Sequence, residues 1–138
     1  MGKKIKTGII GFGLSGRVFH APFIHTHPGF QLSHIVERHH QRSKEIYPSV
    51  QVVKDYHMLL ENPELELIVI TTPNTFHFSM AKDCLKAGKH VVIEKPFTPT
   101  SQEADTLIRL SEETGKQIFV YQNRRWDGDF LTIRKLLD

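Results

Sequence analysis

Cysteine is almost absent. Cys84 stands alone among 138 residues, so no internal disulfide can form and no thiolate zinc site is supported. No partner motif lies beside it, and it reads as a buried structural thiol. Long apolar runs are missing as well; none approaches the roughly 20 residues that cross a bilayer. The opening MGKKIKTGIIGF is basic but has no long apolar region leading to a small-residue cleavage site. Lys6 occupies the position where a myristoylation signal needs Ser or Thr. A cytoplasmic protein without membrane contact is expected. An excess of either charge is missing too: the net value is +3, with Lys and Arg scattered, which gives no reason to expect a nucleic-acid partner. Histidine is plentiful, at nine residues, but the close groupings His25–His27 and His39–His40 lack the i, i+4 spacing with a carboxylate that a metal site uses. They read as solvated loops, and no metal site is expected. Repeats, low-complexity tracts and flexible linkers are also absent.

What remains is ordinary in bulk and ordered in detail. With 39% hydrophobic and 24% charged residues, the chain suits one soluble domain with a single sizeable core. Its segments alternate. KIKTGIIGFG, FQLSHIVE, VQVVKD, LELIVITT, KHVVIE and KQIFVYQ read as strands, LELIVITT being apolar on both faces like a central parallel strand. Between them lie helical stretches: one from near Ser15 that Pro22 should end or bend early, RSKEIYP closed by Pro48, and YHMLLENPE up to Pro63. TFHFSMAKDCLKAG follows with its stop at Gly88, then TSQEADTLIRLSEETG with an N-terminal Ser or Thr, early acids and Gly115. DFLTIRKLLD is helical to the last residue. This pattern predicts an α/β fold, a doubly wound parallel Rossmann sheet of about six strands with its core within residues 1–121. Ligands of such sheets bind beyond the carboxyl ends of the strands.

GFGLSG, residues 11–16, falls between a strand and a helix. Gly11 permits a tight turn, Gly13 lets a pyrophosphate approach the backbone, and Gly16 lets helix and strand pack closely. The helix start offers free N–H groups to phosphates. Glu37 ends the second strand about 20 residues later, where the dinucleotide pattern places an acid for the ribose hydroxyls. The expected cofactor is therefore NAD(P), with Gly11, Phe12, Gly13, Leu14, Ser15, Gly16 and Glu37 around it. Glu37 favours NAD, whereas Arg38 and Arg42 are placed to hold a 2′-phosphate, so NAD and NADP both remain open. A methyltransferase also uses a glycine loop plus an acid.

The combination GIIGFGLSG at 8–16, TTPNTFH at 71–77 and EKP at 94–96 resembles the Gfo/Idh/MocA family of oxidoreductases. FHAPFI at 19–24 and NRRWDGDFLTI at 123–133 are similar to the subgroup containing NADP-dependent scyllo-inositol dehydrogenase. EKP is the more specific signature and argues against the methyltransferase. The resemblance implies hydride transfer between a nicotinamide dinucleotide and a polyol, cyclitol or sugar. It also implies that Thr71, Thr72, Pro73, Asn74, His77, Glu94, Lys95, Pro96 and Asn123 line the cofactor. Glu94 would position the nicotinamide or Lys95, and Lys95 would face the substrate oxygen as the catalytic residue. Pro96 would shape the loop beneath, through a cis bond. Arg124, Arg125 and Trp126 would touch ligand or anchor the next helix. A lysine beside a cationic ring, partly desolvated, is suited to exchange the alcohol proton or to stabilise an alkoxide. Family members continue into a second α/β domain that closes the substrate site, and residues 122–138 would lead there. As it stands the chain is expected to bind cofactor as a monomer without efficient turnover, the whole protein being a homo-oligomer. A non-catalytic NAD(P)-sensing module is the alternative; it would have no use for a base at Lys95.

Overall fold

The structure, a computed structural model, describes residues 2–137. Six strands form one parallel sheet: β1 (Ile5–Ile10), β2 (Phe30–Val36), β3 (Gln51–Val53), β4 (Leu67–Ile70), β5 (His90–Glu94) and β6 (Ile118–Tyr121). Their order is β3-β2-β1-β4-β5-β6. The order reverses between β1 and β4, so the crevice beyond their carboxyl ends is where a ligand fits. Five α-helices connect the strands, α1 (Ala21–Thr26), α2 (Arg42–Ile46), α3 (His57–Glu61), α4 (His77–Lys86) and α5 (Ser101–Thr114), and α6 (Gly128–Leu137) follows β6. Asp138, read from sequence as the end of the last helix, lies outside the described residues.

The β-branched runs make strands because successive side chains enter opposite faces, and here both faces are covered. Ile10, Ile68, Ile70, Val91 and Ile93 meet Leu59, Met80, Leu85 and Leu107 on one face. Ile9, Ile35 and Val69 meet Ala21, Tyr47 and Val50 on the other. Cys84 is fully buried in the first cluster, and burial pushes its thiol up to about 12. It is the structural thiol the sequence suggested.

Two local readings are sharpened. Of the two effects expected of Pro22, it does not end the helix near Ser15 but breaks it into two pieces. Gly16–His20 form a π-helical turn, and α1 begins after it with Pro22 in its first turn. A proline ring obstructs the carbonyl four residues earlier, and it is tolerated only where its missing N–H is not needed. His25 and His27 are exposed as expected, although His25 lies in α1 rather than a loop, and their rings pack against Tyr47 at 4.9 Å and Phe30 at 5.2 Å.

Candidate dinucleotide and catalytic site

The glycine loop is shaped from below by one side chain. Thr71, at the end of β4, donates its hydroxyl to the carbonyls of Ile10 and Gly11, each at 3.1 Å. Gly11 has φ +100°, a left-handed conformation that favours glycine. A Cβ on Gly16 would sit 2.6 Å from the Gly11 carbonyl oxygen and 3.0 Å from the Thr71 hydroxyl, so the helix start presses on the loop itself. A Cβ on Gly13 would meet nothing within 4 Å. The loop therefore has an open face at Gly13.

Beyond the loop lies a cleft of about 740 Å³. It brings together Gly11, Phe12, Gly13, Glu37, Arg38, Thr71, Thr72 and Pro73 from the predicted set. Beyond the apolar floor of Ile10, Val36 and Met80, sequence reasoning missed His39, His40, Lys54, Asp55, Tyr56 and Phe76 in its wall. Lys54 follows β3 as Glu37 follows β2, and the strand order alone would have put the two side by side. Asp55 is held below the usual carboxylate range by the backbone N–H and then the ring of His57. Tyr56 donates to Asp83 at 2.7 Å, and burial followed by that carboxylate pushes its phenol up to about 12. Arg42, the first residue of α2, does not line the cleft.

One oxygen of Glu37 is already held by the protein. Its Oε2 accepts from the Ser43 backbone N–H at 2.9 Å and from the Ser43 hydroxyl. The carboxylate therefore caps the start of α2, a favourable place for a negative charge. Around the same rim stand Arg38, His39, His40 and Lys54.

The remaining predicted residues fall outside this cleft: Leu14, Ser15, Gly16, Asn74, His77, Glu94, Lys95, Pro96 and Asn123. His77 is corrected from cofactor lining to an internal brace. It is 1% exposed, with Nδ1 2.8 Å from the Pro96 carbonyl and Nε2 2.9 Å from the Thr72 carbonyl. Burial at the start of α4 turns its ring between the loops after β4 and β5 instead of toward solvent. Both partners only accept, so a neutral ring satisfies one carbonyl and a doubly protonated ring both. The Lys95–Pro96 bond is cis.

Glu94 is engaged on every side. Oε1 accepts from the Ser15 hydroxyl and lies 2.8 Å from His20 Nε2, while Oε2 accepts from the Lys95 backbone N–H at 3.3 Å. Oε1 is thus committed to protein groups, while Oε2 has the one longer contact. Burial opposes its charge, but the bonds from Ser15 and His20 outweigh that and hold its pKa below the ordinary 4.5. Burial lowers His20 from 6.5 although Glu94 pulls the other way. Lys95 is exposed at the tip of this assembly. Arg124 bonds Asp127 at 3.0 Å and lies over the Phe19 ring, so it anchors the turn that leads into α6.

The fold, the glycine loop at the strand reversal and the open cleft together define a dinucleotide-binding Rossmann domain. Residues 5–122 match the family described as the oxidoreductase family, NAD-binding Rossmann fold, of the Gfo/Idh/MocA group, and the chain belongs to that family. It is 44% identical over 133 residues to scyllo-inositol 2-dehydrogenase (NADP(+)) IolW of Bacillus subtilis (strain 168), covering 96% of this chain and 37% of that protein. It is 44% identical over 137 residues to the uncharacterized oxidoreductase YdgJ of Escherichia coli (strain K12), covering 99% of this chain and 40% of that one. A crystal structure of a protein from Bacteroides fragilis NCTC 9343 assigned as an oxidoreductase superposes with a TM-score of 0.92 at 52% identity, over 98% of this chain and 42% of the other. The chain thus spans about two-fifths of the length of these relatives, the part that carries the Rossmann sheet. No helix among the described residues is long and apolar enough to cross a membrane.

Proposed function

We propose that this chain is the NADP(H)-holding part of an oxidoreductase that moves hydride between the nicotinamide and an alcohol carbon of a polyol, cyclitol or sugar. The observation that carries the cofactor preference is the tie between Glu37 and Ser43. An acid free at the end of β2 would attract ribose hydroxyls and repel a 2′-phosphate. With one oxygen of that acid drawn to α2, the cationic and imidazole groups Arg38, His39, His40 and Lys54 on the same rim, beside Asp55, favour a phosphate. The NADP(+) in the name of the B. subtilis relative supports the same reading.

Each part of the chain then has a task. Gly13 leaves the loop backbone open to a pyrophosphate, Thr71 fixes the loop's height, and Arg38 faces the ribose phosphate. When bound, the nicotinamide supplies the hydride acceptor or donor. Lys95, exposed past β5, donates a hydrogen bond to the substrate oxygen and exchanges its proton as the C–H bond breaks or forms. Residues 122–137 would lead on to the region that chooses the substrate.

Calorimetric titration of this chain with NADPH and with NADH tests the reading. NADPH is expected to bind more tightly, and Arg38→Ala to lower its affinity roughly tenfold or more, the loss of one charge-assisted hydrogen bond. Equal binding of both, or a preference for NADH, would remove the assignment to NADP.

A further inference from the structure

The buried His20 has no part in the cleft, yet it touches the residue that precedes Lys95. Ser15 and His20 are five positions apart. The π-helical turn Gly16–His20 follows an i→i+5 pattern, which brings both to one side of the helix and onto the same oxygen of Glu94. In an unbroken α-helix residues five apart do not share a face. The turn exists because Pro22 excludes the regular pattern just upstream of itself. FHAPF therefore encodes a geometry as well as a helix.

The other side of the His20 ring is closed by Tyr121 of β6, whose ring centroid is 4.3 Å away. Tyr121 in turn donates its hydroxyl to the Phe19 carbonyl at 3.3 Å. Glu94 from β5 and Tyr121 from β6 are the titratable groups that face His20. His20 is 5% exposed, so its ring cannot swing away without breaking this packing. The second carboxylate oxygen then receives the Lys95 backbone N–H. The chain of contacts runs from the glycine loop, through Ser15 and His20, into Glu94, and ends at Lys95.

We propose that His20 and Ser15 are positioning residues that clamp the Glu94 carboxylate and thereby fix the backbone that presents Lys95, joining the phosphate-binding loop to the proton-transfer end of the site. The role of Lys95 rests on the reading given above; the clamp on Glu94 does not. Ser15 belongs to the loop that would approach the pyrophosphate, so a ligand at the loop is felt at Lys95.

The test is carried out on this chain, isotopically labelled, by following the Glu94 carboxyl carbon and the Lys95 amide proton through an acid titration. In the unaltered chain Glu94 is expected to titrate below its ordinary 4.5, with the Lys95 amide moving in step. His20→Ala and Ser15→Ala are each expected to raise the midpoint and to uncouple the Lys95 amide. His20→Gln, which keeps a nitrogen donor in reach of Glu94, restores both. Should His20→Ala fail to fold, Ser15→Ala and His20→Gln carry the comparison. An unchanged Glu94 midpoint in folded variants, or a Gln variant that behaves as the Ala variant does, overturns the proposal. A second titration adds NADPH: signals of Gly13, Arg38 and Lys95 are expected to move in the unaltered chain, and Lys95 alone to lose its response in His20→Ala. If Lys95 responds equally in both, the clamp is overturned. If Gly13 and Arg38 never respond, the dinucleotide reading fails, while the Glu94 midpoints still judge the clamp.

Discussion

Two glycines of the same loop make opposite demands. Gly16 has backbone oxygen where a Cβ would go, so Gly16→Ala is expected to overpack the loop and cost about 1–3 kcal/mol in a urea denaturation experiment. Gly13 has open space, so Gly13→Ala should leave stability unchanged yet weaken NADPH binding by about tenfold, or ~1.4 kcal/mol. A variant that loses affinity without losing stability separates a phosphate seat from a mere turn. The Glu94–His20 pair gives a sign to the pH dependence. The folded pKa of Glu94 lies below its unfolded value, so its stabilisation is present above 4.5 and disappears as pH falls through the folded value. His20 is also lowered, so the fold resists its protonation and stability declines as pH drops below 6.5. Denaturation midpoints measured between pH 7 and 3 should therefore fall steadily, and Glu94→Gln should flatten the acid end of that curve.

Elements defined by a run of like residues were plain in the sequence. β4 and β5 are short β-branched stretches bounded by polar residues, and α5 carries its own boundaries: Thr100 and Glu103 form a reciprocal capping box and Gly115 closes the helix in a left-handed turn. Thr100→Ala is expected to cost about 1 kcal/mol, read as a lower denaturation midpoint with NADPH binding unaltered. The stretch after the glycine loop was harder, because one proline changed the hydrogen-bond pattern of residues that precede it. Glu37 shows a different limit. Its place at the end of β2 was legible, but its partner Ser43 belongs to a helix whose approach depends on the loop between, and no spacing rule reports which way a carboxylate turns. His20 and Glu94 are 74 positions apart, and nothing local in either segment anticipates the other.

At the scale of the molecule, the sheet and its two cores form the stable body, and α6 is an appendage. No residue of α6 is buried, and its turn is tied back by the Arg124–Asp127 pair and the Phe19 ring. A chain ending at Gln122 should therefore lose about 1 kcal/mol or less, the scale of one cation–π contact, when its thermal melt is compared with that of the longer chain. Cys84 offers a probe of the body itself: buried, with its thiol raised to about 12, it should resist a disulfide reagent at pH 8 until the sheet opens, so labelling rates would report unfolding. His77 reaches across this body in a way that matters to anyone wishing to rebuild it. Because one buried ring is wedged within hydrogen-bond distance of both the Thr72 and Pro96 carbonyls, the corner bearing Lys95 and the loop that borders the cleft are a single graft, not two modules. Moving the Glu94–Lys95–Pro96 corner into another scaffold would transfer its letters but not its shape unless Thr72, His77, Ser15 and His20 travelled with it.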